Sequence, residues 1–230
     1  MKYDSGDRKN VTSVLKLNFV RKFYTGIYPY SVMTSIFTPV NVPRESTLKL
    51  TSSSQEWCGQ TFLQLNARGE NYGVQLRSYF QSEGDQNFKV PRAFLEDEIW
   101  TRIRLAPESL PTGEIEIIPA AQFTRFRHVP VKVEQATATT RLIRDAALSE
   151  EELAEYTVRY TSLKRTLTIK YEKTFPHRIL AWEETYPSGF GKNAKMMTTT
   201  AVRTKTIRLD YWTKNKESDS HYREELGVIY

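Results

Sequence analysis

Cys58 is the only thiol in the chain and the first residue to weigh for chemistry. A cysteine nucleophile needs a base, usually histidine, and a group that orients it. His128, His177 and His221 are the three histidines, and a fold could bring any of them to Cys58. The surrounding Glu56-Trp57-Cys58-Gly59-Gln60 carries no local signature of a nucleophile family. Its Cys-Gly order is shared with cysteine proteases, but the second half of that pattern is missing. A cysteine beside tryptophan on a strand reads first as a small packed side chain. Hydrolysis or group transfer by Cys58 with a histidine is the alternative reading, and a structural Cys58 is the preferred one.

The other candidates are weaker. Histidines 49 and 44 residues apart, with one cysteine, offer no pair at the short spacing of structural zinc sites, so no metal is expected. Asp97-Glu98 and Glu183-Glu184 are adjacent carboxylates, which on a strand face opposite sides and cannot share an ion or a water. No GxGxxG and no GxxxxGK[ST] is present, so neither a phosphate loop nor a nucleotide cofactor is expected. Gly189-Phe190-Gly191 is either a mobile aromatic lip or a turn that tucks Phe190 into the core, and the turn is preferred. Tyr24, Tyr28 and Tyr30 around Pro29 form either a binding platform or a cap on the core edge, and the cap is preferred.

The elements that would position these residues are strands. Period-two alternation runs through Val14–Phe19, Leu48–Leu50, Phe62–Leu65, Tyr72–Tyr79, Glu114–Ile117, Val129–Val133, Tyr156–Tyr160, Leu167–Tyr171 and Ile207–Tyr211. Such alternation puts one side-chain set on a core and the other in water. Turn chemistry sits between the runs: Asn66–Asn71 with its glycine, Thr161–Arg165, and a longer loop at Ser188–Asn193 ahead of the last long strand. One segment breaks the pattern. After Pro91, residues 93–104 place Leu95, Ile99 and Ile103 at helical spacing, with acids first and arginines last, and Pro107 stops the run. Residues 141–154 are a polar stretch, either a short helix or a long loop.

These patterns predict a mainly β protein: an antiparallel curved sheet, as a half-open barrel or a sandwich, with one packed helix over about 93–104. Residues 1–212 read as a single domain and 213–230 as a polar tail. The supply of 13 Tyr, 11 Phe and 4 Trp excludes a disordered chain, and no apolar run is long enough to span a membrane as a helix. The net charge of +6 is spread, with +5 in residues 1–50 and −3 in 51–100. The densest basic runs, Arg125-Phe126-Arg127-His128 and Lys164-Arg165, are too short for a nucleic-acid stripe and read as solvent-facing strand residues. No specific nucleic-acid partner is expected.

Several blocks carry a resemblance: Val14–Phe19, Tyr24–Tyr30, Phe37–Val40, Ser53–Gln60, Ser78–Phe80, Leu95–Glu98, Leu110–Glu114, Phe175–His177, Trp182–Tyr186 and Tyr211-Trp212. In this order they resemble an uncharacterised family of bacterial cell-envelope proteins, over nearly the whole chain. The resemblance implies a periplasmic or envelope address, an envelope protein as partner, and a secretory, lipoprotein-type leader. Met1 stands directly ahead of the first strand, so the expectation here is a chain without that signal. The family is often labelled a septum formation inhibitor of the Maf type. Maf proteins are α/β nucleotide pyrophosphatases with a Ser-Pro-Arg-Arg-like phosphate motif. Here Val42-Pro43-Arg44-Glu45 has an acid in place of the second arginine, and the period-two pattern opposes a parallel α/β fold. The resemblance implies no catalytic residues. A curved sheet with a helix across it can enclose an apolar cavity. The expected function is non-catalytic binding or scaffolding, with a lipid or other hydrophobic small molecule as candidate ligand and Phe94, Leu95, Ile99, Trp100 and Ile103 as candidate contacts.

Overall fold

The computed structural model describes residues 6, 11–40, 46–189 and 191–228. Strands hold 51% of the residues and helical turns 16%, a strand share about twice the usual 20–25%, so the fold is mainly β. The first sheet is a six-stranded meander in chain order: β1 (Val14–Thr25), β2 (Tyr28–Pro39), β3 (Lys49–Glu56), β4 (Gly59–Arg68), β5 (Asn71–Arg77) and β6 (Asp85–Pro91). The second has seven strands: β7 (Phe94–Leu95), β8 (Gly113–Ile118), β9 (Glu134–Ile143), β10 (Leu153–Tyr160), β11 (Arg165–Glu172), β12 (Ile179–Ser188) and β13 (Lys195–Val202). All pairings are antiparallel except β7 with β8. Neither sheet closes into a barrel. Short connections explain the meander, because a two-residue turn can only join antiparallel neighbours. At the β1–β2 tip Gly26 takes φ +62°, a conformation that side-chain-bearing residues rarely adopt.

Two short helices, α1 (Ile99–Leu105) and α2 (Ala121–Arg127), lie between the sheets. Helix α1 touches β1 through Phe19–Trp100 (5.1 Å between ring centres) and reaches β12 through Trp100–Trp182 (6.1 Å). Helix α2 touches β4 through Arg125 Nε and Thr61 Oγ1 (2.9 Å), and β12 through Phe123 and Tyr186 (5.4 Å). One core cluster joins α1 to the second sheet, with Ile99, Ile103, Ile117, Val158, Leu167 and Ile169 at its centre. Another joins the first sheet to the start of α2, through Ile36, Leu50, Leu65, Val74, Val90, Leu95 and Ala121.

Several sequence expectations are corrected. The helix starts at Ile99, not 93. Phe94 and Leu95 instead pair in parallel with Ile117 and Ile118, and Glu96–Glu98 form a single 3-10 turn. The cause is tertiary: Glu98 accepts from the amides of Thr47 (2.9 Å) and Leu95 (3.3 Å), which holds the entry extended. Residues 141–154 are no helix. Strand β9 runs to Ile143 and β10 starts at Leu153, with Asp145 in the connection bonded to Lys170 (2.9 Å). Val129–Val133 precedes β9 without pairing, because Val131 and Val133 point into the core from a covering segment. Ile207–Tyr211 forms no strand. Among the described residues the last ladder bond is Arg203 N to Leu180 O (2.7 Å), and beyond it the alternating run pairs with no described neighbour. The tail holds a short helix, α3 (His221–Leu226).

Candidate functional site

Strand β3 aims Leu50, Ser52 and Ser54 inward. Next to them β2 aims Val32, Thr34 and Ile36, and β4 aims Thr61, Leu63 and Leu65. On β3 and β4 Leu50, Leu63 and Leu65 fill one part of the inner face and Ser52, Ser54 and Thr61 lie toward the hairpin tip, while on β2 Thr34 stands between Val32 and Ile36. Thr34 and Ser52 satisfy each other across the strands (3.1 Å). Where serine replaces an aliphatic side chain the volume is not recovered, because a packed neighbour collapses only partly. The result is a cavity of about 430 Å³ between this face, α2 and the segment 128–131. Its apolar walls include Val32, Leu63, Leu76, Phe88, Phe126 and Val131.

The rim is charged. Glu83, from the connection after β5, meets His128 Nδ1 in a short hydrogen bond and stands 3.9 Å from Arg125 Nη1. Ser78 Oγ donates to the same carboxylate (2.5 Å). Burial pushes the Glu83 carboxyl up, but Ser78, His128 and Arg125 together outweigh it and hold Glu83 below the usual carboxylate range. Arg125 also lies over the Phe80 ring (4.7 Å). His128 ends α2 in the left-handed region (φ 50°, ψ 41°), a conformation in which histidine is enriched but still uncommon, and this aims its ring at the rim. Arg125 and the His128 ring, set against one carboxylate, give this rim the polar groups to meet a single negative group.

A second cluster is buried between the sheets. Arg165, at the start of β11, pairs with both oxygens of Glu96 and with Glu184 Oε1 (Nε 3.0 Å, Nη2 2.9 Å). Tyr160 donates to Glu96 (2.7 Å), and Arg21 reaches Glu184 (3.4 Å). Burial opposes the Arg165 charge, but Glu96 and Glu184 outweigh it and raise its pKa above the ordinary value. Asp97 accepts from the Ala121 amide (2.8 Å) at the start of α2, and burial with the nearby Glu96 charge raises it to about 7. Every carboxylate here has a partner and the cluster is enclosed, which fits a structural tie between sheets. Thus Lys164-Arg165 is no solvent-facing strand pair, because Arg165 points inward. Asp97 and Glu98 are likewise both buried, whereas Glu183 faces out and Glu184 in as expected.

The residues expected to contact ligand lie elsewhere. Ile99, Trp100 and Ile103 belong to the filled core of the second sheet with Phe94 packed on it, and Leu95 belongs to the other cluster. None borders the large cavity. Trp100 borders a smaller cleft of about 290 Å³ between β1, α1, β12 and β13, beside Phe19, Trp182 and Arg104. Cys58 is exposed on the β3–β4 turn, not packed in a strand. Its side chain bonds to Tyr28, whose hydroxyl also donates to Glu56 (2.5 Å), and not to a histidine. Among the described residues no group of three or more metal-ligating side chains converges. Phe190 and the Val42–Glu45 segment lie outside the described residues. The rim was missed because Arg125–His128 reads as a charge run, while the signal for the cavity was the serine run Ser52-Ser53-Ser54 inside an alternating strand. No family model, curated protein or solved structure matches the chain.

Proposed function

We propose that this protein is a non-catalytic binding protein whose cavity takes a hydrophobic small molecule or lipid bearing one acidic group. The observation that carries this reading is the combination of an apolar-walled space of about 430 Å³ with Arg125 and His128 at its rim. Ligand sites typically run roughly 300–1,000 Å³, apolar with a few placed polar groups, and this cavity falls in that range. The acyl or ring portion of the ligand lies along Val32, Leu63, Leu76 and Phe88, and its anion competes with Glu83 for Arg125 and His128. The envelope address rests on the resemblance of the sequence blocks. No chemistry is assigned, because Ser52, Ser54 and Thr61 lack a base among their described hydrogen-bond partners.

The test is thermal unfolding with a long-chain fatty acid, the matching fatty alcohol and no additive. Saturable stabilisation of about 2.7 kcal/mol is expected at a hundredfold excess over Kd. Ser54→Phe, which fills the space, is expected to abolish the effect while leaving circular dichroism unchanged. Arg125→Gln is expected to weaken the acid about tenfold and the alcohol little. Absence of saturable stabilisation by any such probe removes the reading and leaves a scaffold.

A further inference from the structure

The tips of the first sheet carry a cluster of exposed apolar side chains that no core demands. Tyr24 and Ile27 flank the β1–β2 turn at 74% and 80% exposure, and Trp57 stands on the β3–β4 turn at 64%. Antiparallel registers bring these turns to the same end of the sheet: Ser31 pairs with Gln55, and Thr25 with Tyr28. The Trp57 ring lies 5.4 Å from Tyr28, which in turn lies 5.5 Å from Tyr30. Tyr79, also exposed, joins from the connection after β5 through its bond to Glu56. The β12–β13 connection ends here too, since Arg127 Nη1 donates to Gly189 O (2.7 Å); it presents Lys192, and the start of β13 presents Lys195 and the exposed Met196. This end is also the rim end of the cavity. Phe126, which lines the cavity, lies 6.1 Å from Phe23, and Phe23 stacks on Tyr30 at 4.9 Å.

We infer that this end docks on a lipid surface bearing anionic headgroups. Tyrosine and tryptophan with one apolar body and one polar tip are the side chains that settle at a membrane interface, and Ile27 between them supplies a purely apolar point. The charges fit: the exposed Lys192 and Lys195 stand beside the tips. Among the described acids of this end, Glu83 faces Arg125 and Asp85 faces Arg77, while Glu56 keeps its charge between the hydroxyls of Tyr28 and Tyr79. Basic residues near an anionic leaflet add to apolar insertion, and either alone gives only marginal binding. A folded protein that spends aromatic side chains on turn tips, at the mouth of an internal cavity, has an arrangement suited to exchange between cavity and bilayer. Docking nevertheless stands apart from the cavity reading, because the tips would bind a surface whether or not the cavity holds a ligand.

The experiment is co-sedimentation of the full chain with vesicles of phosphatidylcholine alone and of phosphatidylcholine mixed with phosphatidylglycerol. The wild type is expected to bind the mixed vesicles, more weakly as salt rises, and to show a blue shift of tryptophan emission. Ile27→Ser with Trp57→Ser is expected to lower vesicle affinity by about tenfold or more. Lys192→Gln with Lys195→Gln is expected to lower it several-fold on the mixed vesicles only. Leu142→Ser with Val202→Ser, exposed positions at the opposite end of the second sheet, serves as the control and is expected to change nothing. Failure of the wild type to bind overturns the inference and leaves the tips to a protein partner. Equal loss in the tip and control pairs overturns it as well. Fatty-acid stabilisation in solution is expected to be the same in the tip variant, so failure of the cavity and failure of the docking surface are read in separate assays.

Discussion

Strands β3 and β11 are both eight residues long and each is an interior strand of its sheet, yet their inward positions differ. Strand β11 sends in Arg165, Leu167, Ile169 and Tyr171, while β3 sends in Leu50, Ser52 and Ser54. Both alternate with period two, so both make the same ladder. What separates them is volume. On β11 every inward side chain meets α1, β10 or the Glu96–Glu184 cluster, and the face is filled. On β3 the face is filled only at Leu50, and the hydroxyls beyond it leave the cavity. The backbone pattern therefore decides where a wall stands, and the size of the inward residues decides whether anything can fit behind it.

The largest effects are expected on the filled side. Arg165→Leu strips two buried carboxylates of their partner and is expected to cost about 3–5 kcal/mol. Ile169→Ala, fully buried, is expected to cost about 2–5 kcal/mol. Ser54→Ala, on the cavity side, is expected to change stability by less than about 1 kcal/mol. Urea midpoints of the three variants are the measurement. A cost at Ser54 equal to that at Ile169 would break the contrast and mean that the cavity wall is as tightly packed as the core.

A smaller effect concerns Asp97, which sits where the two regions join and holds the first turn of α2. Its pKa is raised to about 7 when folded, against about 3.9 in an unfolded chain. Between these values the native state binds the extra proton, so stability falls as pH rises from about 4 to 7. Glu98, also raised by burial, adds to this slope. Glu83, Glu56 and Glu172, held low, act oppositely, and their contribution is lost below about pH 4. Asp97→Asn keeps an acceptor for Ala121 and is expected to flatten the slope, with a gain on the order of 1–3 kcal/mol at pH 8 relative to wild type. Denaturant titrations at pH 5 and pH 8 check this. A wild-type-like slope in the variant would assign the dependence to Glu98.

The strands were legible because alternation is a local property: Val14–Phe19, Phe62–Leu65, Tyr156–Tyr160 and Leu167–Tyr171 all fall inside strands. Two alternating runs failed, Val129–Val133 and Ile207–Tyr211, since pairing needs a neighbour that the sequence does not name. The start of α1 was misplaced because Glu96 and Glu98 serve partners 69 and 51 residues away, Arg165 and Thr47. The stripe Leu95, Ile99 and Ile103 announced a helix on a core but not which core. The cavity was hidden for a related reason. Ser52 and Ser54 look like ordinary polar strand residues until the register turns them inward, and Arg125 meets Glu83 only through tertiary folding.

The smallest effect is expected at Cys58, where the sequence pointed to a packed thiol and the fold places an exposed one. Its turn is held without it. Glu56 accepts from the Cys58 amide (2.6 Å) and from both Tyr28 and Tyr79, and Gly59 lets the Tyr79 ring approach so closely that a Cβ there would stand 2.7 Å from it. Cys58→Ser preserves the amide and supplies a hydroxyl in place of the thiol beside Tyr28. It is expected to change stability by no more than about 0.5 kcal/mol, as for surface substitutions generally. Gly59→Ala, by contrast, must displace Tyr79 and break its bond to Glu56, and is expected to cost about 1 kcal/mol. The Tyr28 hydroxyl titrates above its ordinary value because Cys58 and Glu56 accept from it, so ultraviolet titration of the tyrosines in Cys58→Ser reports whether the turn is intact. Loss of a millimolar-ester or amide hydrolysis activity in Cys58→Ser, with that titration unchanged, would instead make the exposed thiol a nucleophile and move the functional site from the cavity to the tip.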